Sequence, residues 1–275
     1  MERDLSTGST FKNLVFFSLP FLLSYFLQTL YGLADLFIIG MFGKVADTTA
    51  VSTGSQVMHM ITVIIVGLAM GATVLIGRAV GAKNYELKNR AVGNTFSAFS
   101  MLSIVAMAAL LIFAEGIVGV MKTPADAVPG TIVYLRICFA GIPFITVYNI
   151  IGSIFRAMGD SKSPMYFVII ACICNIAFDF SFIGLLKMGP AGAALGTVLS
   201  QATSVITAFV VIRKNQMIRG IKRTHFIPES YIIKNIFKVG IPVAVQDGFI
   251  QVSFIMITVF ANMRGLSDAA AVGVV

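Results

Sequence analysis

The sequence predicts an all-α polytopic membrane protein: one six-helix transmembrane bundle, then the first helix of a second bundle that repeats the first in parallel. Three observations carry this. Hydrophobic residues make up 57% of the 275-residue chain and charged ones only 12%, with a mean hydropathy of +0.92; a soluble domain would be nearer a quarter charged. Seven apolar runs are each long enough to cross a hydrocarbon core of about 30 Å at about 1.5 Å per helical residue. Finally, a shift of 222 positions lays Lys12-Asn13-Leu14 over Lys234-Asn235-Ile236, Leu19-Pro20 over Ile241-Pro242, and Met41 and Gly43 over Met263 and Gly265. Six spans separate the copies, so both begin on the same side, as in a parallel transporter repeat.

The runs lie near 14–42, 52–77, 92–121, 131–155, 164–186, 191–212 and 239–261. They divide the chain into a bundle over 1–212, a basic linker over 213–238, and the start of a second bundle over 239–275. The second copy has barely begun at Val275, and the expectation is that the functional unit includes a missing second six-helix bundle. Met1 to Asn13 is polar, and the run after it is too long for a signal-peptide core and lacks an A-x-A-like cleavage site, so it reads as a retained helix. Leu14 to Phe42 carries one charge, Asp35. An acid at membrane depth is costly and by default marks an ion or substrate path. Gln28, Tyr31 and Asp35 are spaced i, i+3, i+7 and share a helix face. Asp35 falls opposite Ile257 in the repeat, so the acid belongs to the first unit alone.

Small residues recur at helix-packing spacing in Gly67 with Gly71, Gly77 with Gly81, and Gly192 with Gly196. Span four carries Arg136, placed to snorkel to the interface, and Glu115 near the end of span three reads as interfacial. Span five holds a second intramembrane acid, Asp179, with Asn175 four residues before it on the same face. Span six opens with Thr197, Ser200, Gln201 and Ser204, a polar stripe. Asp247 in span seven is a candidate cavity-lining residue. Arg156 to Pro164 reads as a turn and a helix start.

The basic residues report topology. One side has Arg3 and Lys12, then Arg78, Lys83, Lys88 and Arg90, then Arg156 and Lys162, then Arg213, Lys214, Arg219, Lys222, Arg223, Lys234 and Lys238; the other has Lys44, Lys122, Lys187 and Arg264. Fifteen against four is the positive-inside pattern, which places the N-terminus in the cytoplasm of an inner or plasma membrane. It also gives the formal net charge of +8 a cause other than nucleic acid. Cys138, Cys172 and Cys174 all lie in apolar runs, against a disulfide framework. His59 and His225 stand alone, so no metal centre is expected.

Asp35 lies nine residues before Lys44, Asp179 eight before Lys187, and Thr197 seven after Pro190. That puts all three roughly 10–14 Å in from the same ends of their spans. Spans one, five and six can therefore bring two carboxylates, an amide and a hydroxyl to one level. Oxygen-only groups suit a hard cation, and paired carboxylates in a poor dielectric also favour a proton. The plainer alternative is that each acid satisfies a separate neighbour.

These residues resemble those of the multidrug and toxic compound extrusion (MATE) family. The resemblance rests on Leu19-Pro20, Gln28-Thr29-Leu30-Tyr31 leading to Asp35 and Gly40, Gly77-Arg78-Ala79-Val80-Gly81-Ala82, Phe155-Arg156-Ala157-Met158-Gly159-Asp160, Asn175 with Asp179, and Gly192 to Gln201. It implies two six-helix bundles around a central cavity and proton- or sodium-driven antiport of organic cations or drugs. It also implies a first-bundle cation site at Asp35, Asn175, Asp179 and Thr197. The residues themselves make Gln28, Tyr31, Gln201 and Asp247 substrate-cavity candidates, and no cofactor beyond the coupling ion is expected. Three other readings compete. An exporter of lipid-linked saccharides would need several Arg and Lys in its spans, which hold acids and one Arg. An intramembrane enzyme would need a nucleophile–base pair or metal ligands, and neither is present. The last is a non-functional fragment of a transporter.

Overall fold

The computed structural model describes residues 9–215 and 220–274; Arg3 and Arg219 of the charge pattern lie outside them, as does the side chain of Lys214. The elements are α1 (Thr10–Phe42), α2 (Val45–Gly81), α3 (Tyr85–Val120), α4 (Val128–Ala140), α5 (Ile142–Ala157), α6 (Lys162–Asp179), a π-helix (Phe180–Leu185), α7 (Pro190–Asn215), a 3₁₀ turn (Arg223–Phe226), α8 (Ser230–Arg264) and α9 (Leu266–Val274). Six of these helices, α6 being taken with the π-helix, are long and apolar enough to cross a membrane, and α4 with α5 makes a seventh, broken span. No strand occurs among the described residues. Both α1 and α8 are single long helices with an internal proline, Pro20 and Pro242, which matches the repeat.

Several boundaries differ from the sequence reading. Span four is not continuous: α4 and α5 meet at 53°. Gly141, Ile142 and Pro143 stand at the break; Pro143 has no N–H to continue the ladder, and Val198 of α7 wedges against Gly141. Helix α2 begins seven residues before the expected start of span two. The Asp47 carboxylate accepts from the Lys44 N–H at 2.9 Å, and Thr49 donates back to the Val45 carbonyl at 3.0 Å, so this polar turn carries its own satisfaction into the membrane end. The linker expected over 213–238 is shorter: α7 runs on to Asn215, and α8 starts at Ser230. Ile232, Ile236 and Gly240 are buried at a spacing of four while Lys234 and Lys238 are exposed, an amphipathic first turn whose charges hid its helical register.

Helix α2 is the hub and packs on α1, α3, α4, α5, α7, α8 and α9. Small residues let it. A side chain at Gly71 would meet the Ile236 carbonyl of α8, one at Gly240 the Leu68 carbonyl of α2, and one at Gly67 the Ala244 backbone. The two helices therefore touch backbone to backbone. Of the other predicted pairs, Gly192 is close against Phe182 but less tight, whereas Gly81 has open space around it. Apolar clusters fill both ends of the bundle: Ile38, Ile39, Leu135, Phe139 and Ile142 at one, and Ile76, Phe99, Ile150, Ile154 and Ile236 at the other. The outer surface is as apolar as the core, with Phe11, Phe26, Phe37, Ile112 and Phe249 exposed, as hydrocarbon solvent requires.

Candidate functional site

Helices α1, α6 and α7 meet where the buried acids lie. Asp35 is 4% exposed, and Asn175 and Asp179 are fully enclosed. The Asp35 and Asp179 carboxyls are immediate neighbours, and Asn175 lies beside Asp35. Thr197 donates its hydroxyl to Asp35 Oδ2 at 3.2 Å, or alternatively to the Ala193 carbonyl of its own helix at 3.0 Å. Asp35 Oδ1, both Asp179 oxygens and both polar atoms of the Asn175 amide have no hydrogen-bond donor or acceptor to pair with. Buried groups in this condition cost several kcal/mol unless something pairs with them. Four carboxylate and amide oxygens plus a hydroxyl oxygen form a hard, anionic donor set that fits a monovalent cation or a shared proton. Among the described residues no three His, Cys, Asp or Glu side chains converge as a metal centre.

Local structure explains why these groups converge. Asn175 and Asp179 lie one turn apart on α6. The backbone then widens into the π-helix over Phe180–Leu185, a rare conformation that often marks functional sites; nothing in the sequence signalled it. Across the gap, Gly196 lets α7 come so close that a Cβ there would strike Asp179 Oδ1. Gly196→Ala should therefore displace the Asp179 carboxyl and cost about 1–3 kcal/mol. The check is thermal unfolding in detergent with and without added sodium or acid: the variant should melt lower and lose any cation-induced rise.

The remaining predicted residues separate into two groups. Tyr31 lies beside the Gln201 amide and near Tyr148, and Gln28 lies beside the Tyr148 hydroxyl, which faces Arg156. Gln28 and Tyr31 thus continue one polar row along α1 from the acids. Tyr148 and Arg156 of α5 belong to that row; the sequence reading does not single out Tyr148 and takes Arg156 as part of a turn and of the charge pattern. Arg156 donates to Ser153 Oγ at 3.0 Å and lies over the Phe21 ring at 5.7 Å. Asp247 stands apart from the acids. It is half-buried at the middle of α8, and α8 packs on α2, α3 and α9 rather than on α1, α6 or α7. Of the polar stripe on α7, Ser204 donates to the Phe167 carbonyl of α6 at 2.8 Å and Ser200 to its own helix. Glu115 and Arg136 pair at 2.9 Å on an exposed surface, and the three cysteines are free.

Apolar spanning helices, a parallel repeat and unpaired acids enclosed at membrane depth define a multi-pass membrane protein whose bundle interior holds ionisable groups. The chain belongs to the MatE family, whose model matches residues 20–181. It is 29% identical, across its whole length and 61% of the relative's, to the probable multidrug resistance protein YoeA of Bacillus subtilis. It is 25% identical to the multidrug export protein MepA of Staphylococcus aureus, over 96% of this chain and 58% of the relative. Among solved structures it resembles an inward-facing multidrug resistance MATE family transporter of the MOP superfamily, with a TM-score of 0.83, 25% identity and coverage of 90% of this chain and 56% of that one. It is also similar to a MATE structure in the bent conformation, with a TM-score of 0.84, 26% identity and coverage of 96% and 59%. The chain thus spans about three-fifths of the length of these relatives.

Proposed function

We propose that this chain supplies the ion-binding bundle of a cation-coupled antiporter that exports organic cations or drugs, with proton or sodium as the coupling ion. The observation that carries the reading is the set of unpaired oxygens on Asp35, Asn175 and Asp179. Two carboxylates about 4 Å apart at an effective permittivity of about 20 repel by about 4 kcal/mol. A cation between Asp35 on α1 and Asp179 on α6 turns that repulsion into attraction and draws α1 toward α6 and α7. The cation therefore binds two arrangements of α1 unequally, and that difference is what allows it to drive one into the other. Gln28, Tyr31 and Gln201 line the substrate's side of this arrangement, Asp247 is proposed to face the substrate from α8, and export also calls on a second bundle of six helices. The basic ends of α1, α3, α6 and α8 face the cytoplasm.

The test is reconstitution in vesicles, with uptake of a fluorescent organic cation driven by an imposed proton or sodium gradient. Gradient-dependent uptake that stops when the gradient is collapsed is the expected result. Uptake indifferent to both gradients overturns the coupling.

A further inference from the structure

We infer that residues 220–229, between the two repeats, are a releasable latch that ties α8 to α3. As a linker this segment would be a slack tether. Instead it lies along the first three turns of α3, and one side chain pins both its middle and its end. The fully buried Asn94 donates from Nδ2 to the His225 carbonyl at 3.2 Å, and its Oδ1 accepts from the Glu229 N–H at 2.6 Å. Ser97 one turn on donates to the Phe226 carbonyl at 2.5 Å. Gly93 permits the approach, since a Cβ there would strike the His225 carbonyl. Around this centre stand one ion pair and one hydrogen bond to a carboxylate. Arg90 clasps both oxygens of Glu229, and its guanidinium holds that carboxyl below its ordinary pKa. His225 Nδ1 accepts from the Lys222 N–H at 3.1 Å, which leaves the proton on Nε2, 3.3 Å from Glu86.

The chemistry of the contact is what makes it a latch. Helix α8 meets α2 through backbone and alanine, a seam with no water-replaceable partner, so α2 and α8 move together. Helix α8 meets α3 directly through the stacked rings of Phe99 and Phe237 and through the strap, whose own bonds are polar, with Glu86 and much of Arg90 exposed to solvent. Water replaces such bonds at little net cost. Docked, the strap fixes the distance between α3 and the start of α8; released, it leaves the start of α8 held to α3 by apolar contacts alone and free to shift against it. The link between release and export rests on the antiport reading; docking and release themselves do not.

Exchange is read on the full chain in lipid nanodiscs, and export on the same chain reconstituted into sealed vesicles together with a second six-helix bundle. Hydrogen exchange of the peptide spanning 220–232 is followed by mass spectrometry in wild type, Gly93→Ala, Asn94→Leu and the milder Ser97→Ala. A second arm joins Ser97→Cys to Phe226→Cys, in a background with the native cysteines replaced, by a short reducible bis-methanethiosulfonate reagent. Gly93→Ala and Asn94→Leu should speed exchange at least tenfold and Ser97→Ala less, with helix content unchanged. Cross-linking should proceed to completion, suppress exchange in the strap and lower export at least tenfold until the linker is reduced. Exchange in Gly93→Ala and Ser97→Ala equal to wild type, or no cross-linking, overturns docking. Full export by the cross-linked protein overturns release. If the protein before cross-linking exports nothing even with the second bundle supplied, the antiport reading has failed, and the latch is judged on the exchange rates: suppression by the cross-link supports release, and wild-type exchange already as slow as the cross-linked protein's overturns it.

Discussion

Asp35→Asn should abolish gradient-driven export, by at least about a hundredfold, while the protein still inserts and keeps its helix content. The substitution is nearly isosteric. It removes one of the two charges whose mutual repulsion the coupling ion relieves, and the repulsion of such a pair, about 4 kcal/mol at close range, corresponds to roughly a thousandfold bias between arrangements. The Asn side chain still accepts from Thr197, so packing at the α1–α7 contact survives. It also offers Asp179 a donor in place of an anion. The folded protein should consequently be no less stable than wild type, and the cation-free arrangement should resemble the cation-bound one. Uptake of a fluorescent organic cation into vesicles, with melting temperature and circular dichroism as controls, separates the two effects. Export at the wild-type rate removes Asp35 from the coupling site. Lost export together with lost helix content would make it a folding residue instead.

The acids were legible because a charge in an apolar run is conspicuous, and because counting residues back from Lys44, Lys187 and Pro190 gives depth without any structure. The repeat was legible for a similar reason: Pro20 and Pro242 sit at matching places in long spans. What stayed hidden depends on partners distant in sequence or on subtle backbone changes. The break at Gly141 had a written sign in Gly-Ile-Pro, yet the hydropathy run passes through it unbroken, since both halves are apolar. The π-helix after Asp179 has no such sign. The strap was read as linker because its residues are polar and their partners, Glu86, Arg90, Asn94 and Ser97, lie more than a hundred positions away in a helix whose own periodicity explains them. Arg156 was read as part of a turn for the same reason: its ring contact with Phe21 joins two helices that no local pattern connects.

The two glycine pairs of α2 show the same limit and allow a direct comparison. Gly67 with Gly71 and Gly77 with Gly81 are identical as sequence patterns. The structure gives them opposite weight. Gly71 faces the Ile236 carbonyl and the Gly240 N–H, while Gly81 has nothing within 4 Å of where a Cβ would stand. Gly71→Leu should therefore be severely destabilising. The obstacle is main chain already held in its own helical hydrogen bonds, so no rotamer change clears it. Helix α8 must move away as a body, taking Ala244 and Gly240 out of contact with Gly67 and Leu68. The cost should reach the upper end of overpacking penalties, about 3 kcal/mol or more, and should appear as a melting temperature lowered by several degrees and faster proteolysis between α7 and α8. Gly81→Ala adds a side chain in open space at the end of the same helix, where Ala is the better helix former, and should leave melting unchanged or slightly raised. Equal effects from the two substitutions would mean that the α2–α8 seam is not the close backbone contact described, and that α8 is free of α2 as well as of the strap.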